Sequence, residues 1–196
     1  MIVLLAEGDM LTKYGKFTEY LFYDGMSESI ALVMGDVAYA DDVPVRVHSH
    51  CVPSHIFNSI ECDCREQMCM AQQKIEEEGC GVIVWLDQEA KGNGHMAGVL
   101  SARLKAEGVP QTEAYAQLGY ERDSRSFARA AEILEFLKVA SVRLMTNNPE
   151  KQRTLTDLGV TVSGTQELFV AADNPELLKT YMDKIQNQKH TIKVSS

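Results

Sequence analysis

The 196-residue chain lacks any apolar run long enough to span a bilayer, which takes about 20 consecutive apolar residues in a helix. It also lacks a disulfide framework. Its five cysteines are odd in number, with Cys51, Cys62 and Cys64 clustered and Cys69 and Cys80 apart, a pattern that suits reduced thiols or metal binding better than bridges. Positive charge is scarce: 19 Lys and Arg against 28 Asp and Glu give a formal net charge of −9. No basic stripe alternates with aromatics, so a nucleic-acid polymer is excluded as the expected partner, although a few convergent cations could still hold a nucleotide. The chain shows no internal repeat, linker or low-complexity block. The opening MIVLLAEGDM has neither a basic n-region nor a small-residue cleavage site; it reads as a first strand and not as a signal peptide, with the cytoplasm as the expected location.

Hydrophobic residues make up 45% and charged residues 24%, enough for one globular domain over residues 1–196 with its own core and a polar tail from about 188. Strands are expected at 2–6, 17–23, 30–34 and 43–48, separated by turns at Tyr14-Gly15, Asp24-Gly25 and Asp41-Asp42. Alternation along the last of these puts Arg46, His48 and His50 on one face. A helix should follow Cys64 and end near Gly79, and CGVIVWLDQ reads as a buried strand running into the loop QEAKGNGH. Further helices are predicted at 95–107, 112–118 and 127–137, then a strand in SVRLMT, a helix opened by Pro149 and a last one over 175–187. This order implies a mixed α/β fold, antiparallel or mixed at the N-terminus and parallel where strands and helices alternate.

Reactive side chains concentrate between Arg46 and Leu86. Cys51, Cys62 and Cys64 follow C-x10-C-x-C, three soft ligands with no obvious fourth. That count fits a catalytic zinc, which keeps a position open for water or substrate, whereas a structural zinc closes its shell. Cys62 and Cys64 would stand at a helix N-terminus, where the dipole favours thiolate. The cysteines alone equally allow three reduced, buried thiols acting as small hydrophobes. Likewise Asp123 and Arg125 could be base and phosphate ligand, or an exposed charge pair on a loop.

The neighbouring residues add four colinear blocks: RVHSHC with SIECDC, WLDQEAKGNG, AYAQLGYERDSRSF and VRLMTNNPEKQRTL. In order and spacing they resemble the signature segments of the GTP cyclohydrolase II family, which opens the imidazole ring of GTP at the head of riboflavin synthesis. The resemblance implies that family's fold, a homodimer, a zinc on Cys51, Cys62 and Cys64, and magnesium accompanying the triphosphate. It implies a zinc-activated water attacking C8 of guanine, loss of formate, and release of pyrophosphate. It assigns Asp123 as proton acceptor and Arg125 to the α-phosphorus, the triphosphate to Arg46, Lys91, Thr146 and Lys151, and base recognition to Gln67 and Glu89.

Departures from the family pattern cluster at these same blocks. His50 replaces an acidic residue before the first cysteine, and Pro53-Ser54-His55 replaces T-G-D. Glu61 stands for an arginine, Arg65 for a glycine, and Ala90-Lys91 for the glycine and arginine of Q-E-G-R. Ala102 stands where the family has a tyrosine, and Gln111 where it has a threonine near the ribose or base. A ring-opening hydrolase of different nucleotide specificity, or one stopping at the formamidopyrimidine, is the alternative these changes raise; a catalytically silent nucleotide-binding relative is another. His50 or His55 could supply a fourth zinc ligand.

Overall fold

The computed structural model describes residues 1–192, so residues 193–196 of the expected tail lie outside the described residues. The elements are β1 (Val3–Thr12), β2 (Gly15–Tyr23), β3 (Glu28–Met34), β4 (Val43–Ser49), α1 (Val52–His55), α2 (Cys64–Glu78), β5 (Gly81–Leu86), α3 (His95–Ala106), α4 (Gln111–Gln117), α5 (Ala128–Phe136), β6 (Val142–Met145), α6 (Pro149–Asp157), β7 (Val162–Gln166) and α7 (Pro175–Gln188), with a single 3-10 turn at Ala90–Gly92. Contacts divide the chain into two compact units, each made of three separated segments.

The first unit, residues 1–48, 66–86 and 127–169, carries a seven-stranded sheet in the order β1-β2-β3-β5-β4-β6-β7. Pairing is antiparallel from β1 through β5 and parallel for β4 with β6 and β6 with β7, the mixed arrangement expected. β5 is buried on both faces because nearly every residue is aliphatic. Val82, Val84 and Leu86 join Val43, Val45, Val47, Ile133 and Leu134 in one core cluster, while Ile83 packs with Ala71 and Ile75 of α2 in the other. The helix expected after Cys64 is thus present, its apolar residues at the predicted spacing.

Four expectations are corrected. β1 runs to Thr12 and pairs Thr12 with Gly15, because hairpin pairing carries the polar residues of an exposed edge strand past the apolar segment. β7 is a strand beyond those expected: VSGTQ has no apolar alternation and only one neighbour, β6, at the sheet edge. β4 ends at Ser49, so Arg46 and His48 alternate with the core valines but His50 lies beyond the strand. The short helix α1 is a further addition, since four residues with Pro53 in the first turn leave no periodicity to detect.

The second unit, residues 49–65, 87–126 and those from 170 onward, is built on helices. Asn174 caps α7 by accepting from the Leu177 amide at 2.8 Å, with Pro175 in its first turn, the fixed φ and missing donor of proline suiting that position. Among the described residues no helix is long and apolar enough to cross a membrane.

Candidate active site

Within the second unit the sulfur atoms of Cys51, Cys62 and Cys64 all lie within 4.8 Å of one another, with Cys51 and Cys62 3.6 Å apart. Tetrahedral zinc with bonds of about 2.3 Å separates its sulfur ligands by about 3.8 Å, so the trio fits that metal with little movement. Among the described residues no histidine or carboxylate ligand atom joins the group. His50, one of the two histidines considered as a fourth ligand, lies with Nδ1 3.3 Å from Asp87.

Local structure explains the convergence. Cys64 is the first residue of α2, as expected from the dipole argument, and Cys51 immediately precedes α1. Hydrogen bonds with Cys51 and Cys64 push the Cys62 thiol far down, the bond with Cys62 pushes Cys51 up, and the bonds with Cys51 and then Cys62, with burial, push Cys64 up. Cysteine binds zinc as thiolate, so a divalent cation held here would displace the thiol protons. The departures around the trio contact one another. The Ser54 hydroxyl accepts from the Arg65 amide at 3.1 Å, and the Arg65 guanidinium donates to the His55 carbonyl and to Asn58. Glu61 meets Lys105 at 3.4 Å. Burial lowers the His55 imidazole, although a hydrogen bond with the Cys64 backbone opposes this.

The same unit holds the loop of Asp123 and Arg125. Arg125 grips the carboxylate through Nε at 2.9 Å and Nη2 at 2.6 Å, and its amide adds a third bond at 3.1 Å. Burial raises the Asp123 carboxyl, but the Arg125 bonds and charge with the Lys91 charge outweigh it and hold Asp123 below the ordinary range. Lys91 Nζ donates to Gln188 at 2.7 Å and lies 3.4 Å from Asp123. Burial, then the Arg125 charge, pushes the Lys91 ammonium down to about 8 against the pull of Asp123.

Glu89 ties the glycine loop to the residue after Cys51. Its carboxylate accepts from the Val52 amide at 2.5 Å and from the Ala90 amide at 3.1 Å. Ala90, Lys91 and Gly92 all have positive φ, at 51°, 57° and 82°. In this loop Gly92 is required, because a Cβ there would stand 2.8 Å from the Ser124 carbonyl carbon. The Ser124 amide donates to the Lys91 carbonyl at 2.9 Å, and Asn93 binds both the Ser124 hydroxyl and the Glu121 carbonyl. Gly92 therefore sets the position of Asp123 and Arg125.

Gln111 donates to the Tyr115 hydroxyl at 3.0 Å. Ala102 is exposed on α3, whereas Tyr115 is buried and its phenol, raised by that burial, faces the charges of Glu89 and Arg125. Sequence reasoning missed Tyr115, although its place in AYAQLG was available. It also missed Asp63, Tyr181 and Lys184. Asp63 lies between two of the cysteines, is 1% exposed, and bonds Tyr181 and Lys184 of α7.

The remaining predicted residues belong to the first unit. Arg46 Nη1 donates to the Met145 carbonyl at 2.8 Å and Nη2 to Gln67 Oε1, so two residues assigned to separate substrate groups hold each other. Lys151 donates to the Val47 carbonyl at 2.8 Å and stands 5.2 Å above the Phe127 ring. The Thr146 hydroxyl accepts from the Asn148 amide at 3.1 Å, and Asn148 caps α6. Arg46, Thr146 and Lys151 are all buried.

A solved two-domain 3,4-dihydroxy-2-butanone 4-phosphate synthase, RibBX from A. baumannii, shares the fold at TM-score 0.52 and 19% identity, over 84% of this chain and 40% of that one. This likeness defines an α/β protein of the class seen there. The chain belongs to the GTP cyclohydrolase II family, whose sequence model matches residues 4–167. GTP cyclohydrolase-2 of Haemophilus influenzae (strain PittEE) is 39% identical over 82% of this chain and 76% of its own length. The protein of that name from Neisseria meningitidis serogroup A is 37% identical over 89% of this chain and 90% of its own. Riboflavin biosynthesis protein RibBA of Phocaeicola vulgatus is 37% identical over 94% of this chain, which spans 47% of RibBA.

Proposed function

We propose that this chain is a zinc-dependent GTP cyclohydrolase, opening the imidazole ring of GTP with release of formate and pyrophosphate in riboflavin synthesis. The observation that supports it is the convergence of three sulfurs in the same unit that carries the Asp123–Arg125 pair. Zinc on Cys51, Cys62 and Cys64 would supply Lewis acidity and an activated water. Thiolate ligands temper that acidity, so the hydrogen bonds around them matter.

The chain's own groups account for the rest. Expelling C8 as formate breaks two C–N bonds and consumes two waters, and cleavage between the α- and β-phosphorus consumes a third. Asp123 accepts a proton in ring opening. Its low basicity while Arg125 grips it rises when the guanidinium turns to the α-phosphate, whose oxygens it can meet bidentately. In the second unit Lys91 binds the triphosphate with magnesium, Glu89 reads the base, and Gln111 with His50 completes the substrate contacts. Lys91 gives a point charge where the family has a planar fork, so phosphate contact there is less directional. The functional unit is a homodimer working in the cytoplasm.

The test is product analysis by mass spectrometry over a panel of purine and pyrimidine triphosphates, using zinc-loaded protein and magnesium. GTP should yield formate, pyrophosphate and the ring-opened pyrimidine. Formate from another nucleotide and not GTP would transfer the reading to that substrate; formate and pyrophosphate from none would overturn it.

A further inference from the structure

We infer that α7 is the backing of the metal site, with Lys184 and Tyr181 acting as positioning residues that hold the Cys62-Asp63-Cys64 loop in ligating geometry. This rests on the metal reading above. The Asp63 carboxylate is buried and its two oxygens are taken separately: Oδ2 accepts from the Tyr181 hydroxyl at 2.8 Å and Oδ1 pairs with Lys184 Nζ at 3.1 Å. The Asp63 side chain is 2% exposed and that of Lys184 20%. One helical turn separates Tyr181 from Lys184, so they project from one face. Beside them the Thr180 hydroxyl donates to the Glu61 carbonyl at 2.6 Å, and α7 thereby holds the loop on both sides of Cys62. The Tyr181 hydroxyl also reaches the Val170 carbonyl at 3.0 Å, which fixes its own orientation.

A carboxylate buried this completely needs both partners, since a buried charge left without one carries a large desolvation penalty. The ligand loop has no regular structure before Cys64, so from the α7 side the Asp63 anchor and the Thr180 bond to Glu61 limit its conformations. The family match ends at residue 167, and Tyr181 and Lys184 lie beyond it. Groups that orient metal ligands from behind commonly change metal affinity 10- to 100-fold when removed.

The experiment is zinc affinity by chelator competition on the full chain, together with hydrogen exchange of the peptide covering residues 61–66 in metal-free protein. Lys184→Met should weaken zinc at least tenfold and deprotect that peptide selectively. Tyr181→Phe, which removes only a hydroxyl, should weaken zinc about threefold or more and serves if Lys184→Met does not fold. Lys184→Arg should restore affinity to within about threefold. Wild-type zinc affinity and exchange in both Lys184→Met and Tyr181→Phe, or Lys184→Arg as weak as Lys184→Met, would overturn the proposal alone. A wild-type chain with no cysteine-dependent zinc binding would overturn the metal reading and the proposal with it.

Discussion

Replacing Gly92 with alanine should disable catalysis without touching a reactive group. The new Cβ would meet the Ser124 carbonyl carbon at 2.8 Å, its oxygen at 2.9 Å and the Arg125 amide nitrogen at 3.0 Å. Carbon–carbon contact is comfortable from about 3.5 Å, so the two backbones must part by roughly 0.7 Å. Both neighbours are backbone, and no side-chain rotation relieves the clash. Left-handed φ in a residue with a Cβ costs a further ~1–2 kcal/mol. Weakening the Ser124-to-Lys91 bond adds about 1 kcal/mol. A total of roughly 2–3 kcal/mol corresponds to a Tm lower by about 5–10 °C in a chain of this size. Because displacement of reacting groups by about 1 Å can cost ~100-fold, kcat should fall roughly 30- to 100-fold with zinc content unchanged. Gly108→Ala is the control: its φ of 90° is similar and its Cβ meets nothing within 4 Å. It should lose stability and keep kcat within about twofold. Wild-type kcat in Gly92→Ala, or an equal loss in Gly108→Ala, would show that the Gly92–Ser124 contact does not position the Asp123–Arg125 loop.

Lys91 predicts a pH dependence. Its ammonium titrates at about 8 in the folded chain against 10.5 for the free side chain, so kcat/KM for the triphosphate should fall as pH rises past 8, and Lys91→Arg should flatten that limb. The unfolded chain binds the extra proton between those two values, so this group's contribution to stability grows from pH 8 to 10.5, and the unfolding midpoint of wild type relative to Lys91→Arg should rise across that window. Ala90 holds a φ of 51° where the family has glycine; Ala90→Gly should stabilise by about 0.5–1 kcal/mol after the added freedom of the unfolded glycine is subtracted, and a lower Tm would contradict the strain. Asp123→Asn should reduce formate release by ~100-fold or more while zinc binding persists, as measured by single-turnover product analysis and metal content.

Cys51, Cys62 and Cys64 stood out as candidates through residue type and spacing. Spacing alone left them open to a reading as buried thiols, and left Asp123 and Arg125 open to one as an exposed charge pair. The four colinear blocks supplied the roles. The buried runs of β5 and α5 were likewise legible, since aliphatic density leaves few alternatives. What could not be read are partners fixed by tertiary packing. Asp63 and Tyr181 are 118 positions apart, and a lone aspartate between two cysteines looks like any solvated acid. Arg46 and Gln67 were assigned to phosphate and base separately, yet they bond each other, a pairing that periodicity cannot supply. β7 escaped because an edge strand with one neighbour needs no apolar alternation. His50 was placed on a strand face because alternation alone does not say where β4 stops.

If three cysteine sulfurs hold a metal with one position left for water, zinc K-edge X-ray absorption on the purified chain will show it. Three sulfur scatterers at about 2.3 Å and one oxygen or nitrogen at about 2.0 Å are expected, with the sulfur count falling in Cys62→Ser. Four sulfurs, a shell dominated by nitrogen, or no bound zinc would rule that arrangement out.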